Sequence, residues 1–220
     1  MDYFDKDAAA AGTVMFGPLG SVLGHTSRQD FEYLSFSKGQ ASIGEKQYEL
    51  NKTLKYIDMQ GSSIKSVGAG AFMACDNLLT VSFSDKIEYI GDYAFFDCKS
   101  LTGILFPDFV KDLKIEGLAF SSCQNLRTVQ FPLGTSYIGN MAFAHCDSLF
   151  YIKIPETVKE IGAAPFASCK HLHLISAPKH LQQQVQIVLH TLQLKGLPSH
   201  PAYPFVGNTD YDPTIQIEYY

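Results

Sequence analysis

The sequence predicts an α/β-type repeat solenoid of stacked parallel strands, and three observations predict it. An Ala-Phe pair recurs at Ala71-Phe72, Ala94-Phe95, Ala119-Phe120 and Ala142-Phe143, with Pro165-Phe166 as a variant. Cys75, Cys98, Cys123, Cys146 and Cys169 follow these pairs at spacings of 23, 25, 23 and 23 residues, and Leu78, Leu101, Leu126, Leu149 and Leu172 keep the same offsets. A short alternating apolar stretch follows each Leu. Self-similarity at a period of roughly 20–50 residues means stacked units that cannot bury their apolar faces singly.

Residues 1–24 form an N-terminal extension outside the repeat. Residues 25–63 read as degenerate capping repeats. A shift of 24 residues back from Val67-Gly68 lands on Ile43-Gly44, and the same shift takes Cys75 to Asn51 and Leu78 to Leu54. Phe31, Leu34 and Phe36 hold the pattern more weakly. Such atypical outer repeats shield the ends of a stack. Asn51, in the place of Cys, is expected to bond turn amides.

Residues 64–178 carry the five clear repeats. Each Leu leads into period-two alternation (Val81 and Phe83, Ile104 and Phe106, Val129 and Phe131, Ile152 and Ile154, Ile175 and Ala177), the mark of a short strand. Pro107, Pro132, Pro155 and Pro178 end four of these strands, because Pro lacks the N–H that a ladder needs. An apolar residue then stands four positions before each Ala, and Gly68, Gly91, Gly139 and Gly162 follow it where a tight bend is expected. The Phe of each pair is expected inside the coil. A two-residue insertion near Asp108–Lys114 is expected to bulge its coil.

Over 179–196 the period changes. Leu181, Val185, Val188, Leu189 and Leu192 fall at helical spacing between Pro178 and Gly196, which predicts a capping helix. Residues 197–220 are a tail with four Pro and several aromatics, either strapped on or loose, with packing on the cap helix as the ordinary fate.

Composition excludes several functions. Net charge is -5, from 17 basic and 22 acidic residues, with no basic run to track nucleic acid. No stretch of about 20 apolar residues could span a membrane. The opening Met-Asp-Tyr-Phe-Asp is acidic where a signal peptide is basic, which predicts a cytoplasmic protein, or an extracellular or cell-surface one if a leader has been removed. Five Cys is an odd number at equivalent positions, which reads as buried free thiols; cross-coil bridges and a metal site are the alternatives.

The unit Ile-Gly-x-x-Ala-Phe-x-x-Cys-x-x-Leu-x-x-Ile-x-Ile-Pro, nearly whole from Ile138 to Pro155, resembles the BspA-like leucine-rich repeat family, the 23-residue repeat class. The resemblance covers 43–178 well and 25–42 weakly. It implies a parallel concave sheet, with short turns or 3-10 segments on the convex side. It also implies a binding surface rather than catalytic residues, and family members often look like adhesins or host-contact proteins.

Alternation places Tyr56, Asp58, Thr80, Ser82, Leu105, Thr128, Gln130, Tyr151 and Lys153 on the outer face of that sheet, flanked by Arg127, Phe150 and His173. Tyr, Phe and Arg concentrate energy in interfaces, so Tyr56, Arg127, Phe150 and Tyr151 are expected to matter most. The bland alternative is a plain solvated sheet. The functional expectation is a non-catalytic module for a protein or peptide partner, with a cell-surface adhesin or carbohydrate-binding structural protein as the alternative. His171, His173 and His180 lie close in sequence but read as surface histidines, since a metal needs three converging ligands. No nucleophile elbow or phosphate loop occurs, so neither an enzyme nor a cofactor is expected.

Overall fold

The computed structural model describes residues 13–16, 31–184 and 215–220. Two columns of parallel strands alternate along the chain. The front column contains β1 (Thr13–Phe16), β2 (Tyr33–Phe36), β4 (Tyr56–Asp58), β6 (Thr80–Ser82), β8 (Gly103–Leu105), β10 (Thr128–Gln130), β12 (Tyr151–Lys153), β14 (Leu174–Ala177) and β15 (Gln216–Tyr219). The side column contains β3 (Ser42–Ile43), β5 (Ser66–Val67), β7 (Tyr89–Ile90), β9 (Phe109–Ile115), β11 (Leu133–Ile138) and β13 (Glu160–Ile161). Stacking puts like residues in register: Leu34, Ile57, Val81 and Ile104 run down one part of the front column, and Val129, Ile152, Ile175 and Ile217 down the other.

The turns behind the sheets form a third ladder. The N–H groups of Tyr93, Phe95 and Asp97 donate to the carbonyls of Gly117, Ala119 and Ser121 one coil on, and the other coils repeat the pattern. Amides between them bond locally, as Phe96 does to Tyr93. The geometry uses left-handed residues just before the Ala and just before the Cys: Tyr93 and Asp97, Leu118 and Ser122, Met141 and His145, Ala164 and Ser168. A left-handed L-residue costs roughly 1–2 kcal/mol, so this ladder is held against a steady local penalty.

The Ala-Phe pairs sit where expected. Tyr48, Phe72, Phe95, Phe120 and Phe143 are buried and stack face to face at 5.0–5.2 Å, with Phe166 continuing the column 6.0 Å beyond Phe143. Burying each ring contributes roughly 1.5–3 kcal/mol. All five thiols are buried and unpaired, and each Sγ donates to a carbonyl in the preceding coil at 3.2–3.3 Å, Cys98 to Phe72 and Cys123 to Phe95 among them. A small apolar side chain with one weak donor suits that position. Asn51 fills it differently, accepting the amides of Thr53 and Leu54 at 3.0 and 2.9 Å.

Several sequence expectations need correction. Gly68, Gly91, Gly139 and Gly162 are required by close approach of coils rather than by a bend: a Cβ there would stand 2.4–2.8 Å from backbone of the preceding coil. The insertion does bulge its coil, but within a lengthened side column: β9 has seven residues and β11 six where β5 and β7 have two, and the β9–β11 pairing carries register shifts. The predicted helix begins as a 3-10 turn at Lys179–Leu181 and is helical to residue 184; 185–196 lie outside the described residues. The tail returns as β15, paired in register with β14, and β1 extends the sheet into the N-terminal extension.

Candidate functional site

The front column is two sheets, not one. β1, β2, β4, β6 and β8 form the first and β10, β12, β14 and β15 the second. The division falls at the insertion, where the side strand β9 is drawn out to pair with β11: Leu133 lies opposite Phe109, and the pairing carries register shifts on either side of Thr135. At Gly134 the backbone is left-handed (φ 97°), and a Cβ would meet the Val110 carbonyl at 1.8 Å.

Outward residues differ between the two sheets. In the first, Tyr56, Asp58, Thr80 and Leu105 are half-buried and Ser82 is fully buried, flanked in register by the larger Asp58 and Leu105. Ser82 therefore leaves the predicted partner-facing row. Asp58 accepts from the Tyr33 hydroxyl at 3.0 Å. Burial first, then the Asp58 charge and hydrogen bond, pushes the Tyr33 phenol up to about 12. In the second sheet Thr128, Gln130, Tyr151 and Lys153 are exposed, as are Arg127, Phe150 and His173 at its upper flank. The Phe150 and His173 rings meet edge to face at 4.9 Å.

Below the split lies a groove of about 880 Å³. Thr128 and Gln130 of β10 and Tyr151 and Lys153 of β12 line it, together with Asp108, Leu133 and Glu156 from the segments that follow β8, β10 and β12. Tyr56, Arg127, Phe150 and His173 are not among its walls. Tyr220, just past β15, supplies an end wall that sequence reasoning did not foresee. Its hydroxyl donates to the Ile154 carbonyl at 2.5 Å, its N–H donates to Ala177, and Lys153 Nζ sits 5.2 Å from its ring centroid. The alternation of Ile217 and Tyr219 was the available signal for that strand.

The histidines do not converge: His171 meets the Asp147 carbonyl, His180 the Val158 carbonyl and His173 the Phe150 ring. Among the described residues, no three His, Cys, Asp or Glu side chains form a group able to hold a metal ion. No described helix is long and apolar enough to cross a membrane.

The family model for the BspA type leucine-rich repeat region matches residues 26–114 and 112–197, with six copies. The chain belongs to the BspA-type leucine-rich repeat family. This leucine-rich repeat chain is similar in structure to a leucine-rich repeat protein from Bacteroides ovatus ATCC 8483, with a TM-score of 0.69 at 22% identity over 88% of this chain and 43% of that one. It is also similar to the T. pallidum leucine-rich repeat protein, with a TM-score of 0.51 at 27% identity over 70% of this chain and 66% of that one. The chain thus spans less than two thirds of the length of both. No curated protein matches the sequence. No enzymatic family is indicated.

Proposed function

We propose that this leucine-rich repeat chain is a non-catalytic interaction module whose front, concave face receives a protein or peptide partner. The observation that carries the reading is the exposed outer row of β10 and β12 above a groove, with Phe150 and Tyr151 presented as large, half-open aromatics. Solenoids offer extended surfaces of this kind, and aromatic residues with Arg concentrate binding energy. Five buried, unpaired thiols support residence in a reducing compartment.

Replacing Tyr56, Arg127, Phe150 and Tyr151 together by Ala is expected to abolish partner capture in an affinity pull-down while circular dichroism and the melting curve stay native-like. Capture that survives this change would assign binding to another face.

A further inference from the structure

We propose that the groove below the split takes an extended peptide segment with one apolar anchor side chain flanked on the same face by basic residues. This deepens the concave-face reading and rests on it.

The apolar component follows from where exposed apolar surface lies. Leu133 is 58% exposed and Phe109, opposite it in register, is 65% exposed. Leu133, Phe106, Tyr151 and Tyr220 surround the groove over a buried floor of Val129 and Phe131. Apolar surface gathered around a concavity with a polar rim marks an interaction site.

The charge follows from the rim. Asp108 and Glu156 line the groove, and neither has an ion pair among the described residues. The one cation of the lining, Lys153, is drawn over the Tyr220 ring. That contact also occupies a face of the ring that a sugar would stack on, which favours a peptide over a glycan. The Leu133 N–H donates to the Asp108 carbonyl and the Gly134 N–H to the Thr157 hydroxyl beside Glu156, so along the side column the two carboxylates stand one strand spacing to either side of Leu133, about 10 Å apart. An extended segment with basic residues two positions before and two after its anchor keeps all three on one face and spans about 13 Å, a match once long side chains flex.

The test uses three labelled, end-blocked pentapeptides against the full chain by fluorescence anisotropy: Lys-Thr-Leu-Thr-Lys, Glu-Thr-Leu-Thr-Glu and Lys-Thr-Ala-Thr-Lys. Two rim ion pairs are worth roughly tenfold in affinity at low salt. The first peptide is therefore expected to bind about tenfold more tightly than the second, and more tightly than the third. Asp108→Lys with Glu156→Lys should reverse the charge preference, and Leu133→Asp should remove binding. Replacing only Tyr56, Arg127 and Phe150 by Ala leaves every groove wall in place, so losing partner capture in that triple variant while peptide preference persists separates the two readings. Equal affinity for the three peptides, no binding, or preference unmoved by the groove variants overturns the proposal. So does a dimer in sedimentation that Leu133→Asp dissociates, which would seat a second copy in the groove, or capture of neutral oligosaccharides in place of peptide.

Discussion

The two sheets of the front column share one interior and differ on their outer surface. Inward residues are buried alike in both, from Ile57 and Val81 to Val129 and Ile152. Outward residues of β4, β6 and β8 are half-buried or buried, whereas those of β10 and β12 are exposed throughout. Between them stands the insertion, which adds length to the side column and leaves the inner columns in register. A repeat protein can thus vary its surface without altering its core. Extra residues placed between front and side strands are taken up by longer side pairing, and the front ladder yields at that coil.

A shared interior has the largest testable consequence. Phe120 lies in the coil at the split, stacked 5.0 Å from Phe95 on one side and 5.2 Å from Phe143 on the other. Phe120→Ala leaves a ring-sized cavity in the column, and such truncations cost roughly 3–5 kcal/mol. Chemical denaturation should show that loss as one transition, with front amides of both sheets losing protection together. Two separated transitions would mean that each sheet carries its own core and would break the comparison.

A smaller effect sharpens the account of the split. Gly134→Ala forces a Cβ toward the Val110 carbonyl in a left-handed conformation. Backbone strain of that kind costs roughly 1–3 kcal/mol. Hydrogen exchange should show faster exchange in β9 and β11, including the Leu133 N–H held by Asp108 at 2.9 Å, with little change in β4 and β6. Unchanged exchange in β9 and β11 would remove their pairing as the cause of the split.

The core was legible in the sequence because each interior position recurs with the same chemistry. Phe120, Cys123 and Leu126 announce one another and their equivalents in neighbouring coils. The ends were not. β15 lies 42 residues after its partner, Leu174 to Gln216, and β1 lies 20 before β2, so a search at the repeat spacing passes over both. The insertion was visible as a 25-residue interval among 23s, but a count cannot say that Leu133 would pair with Phe109 and leave β8 and β10 in separate sheets. The candidate site was half legible for the same reason. Thr128, Gln130, Tyr151 and Lys153 follow from alternation; Asp108, Leu133, Glu156 and Tyr220 follow from the split and from β15.

The smallest expected effect separates the halves by pH. His145 occupies the left-handed position before Cys146, and its counterparts two and three coils earlier are Asp97 and Ala74. Burial holds the His145 pKa below its ordinary value; Asp147 opposes this shift and Lys170 adds to it. Its Nε2 is buried with no hydrogen-bond partner among the described residues. A histidine with a depressed folded-state pKa binds its proton more readily when unfolded. The folded state therefore loses stability as pH falls below the unfolded value of about 6.5, and the loss levels off below the folded value. Denaturation midpoints should fall across that acid window, and His145→Asn, which tolerates the left-handed backbone, should flatten this part of the profile. Hydrogen exchange should place the acid-sensitive opening around Met141–Cys146 rather than around Ala74. A midpoint that holds steady through the window, or that falls equally in the Asn variant, would show that this imidazole does not distinguish the second half from the first.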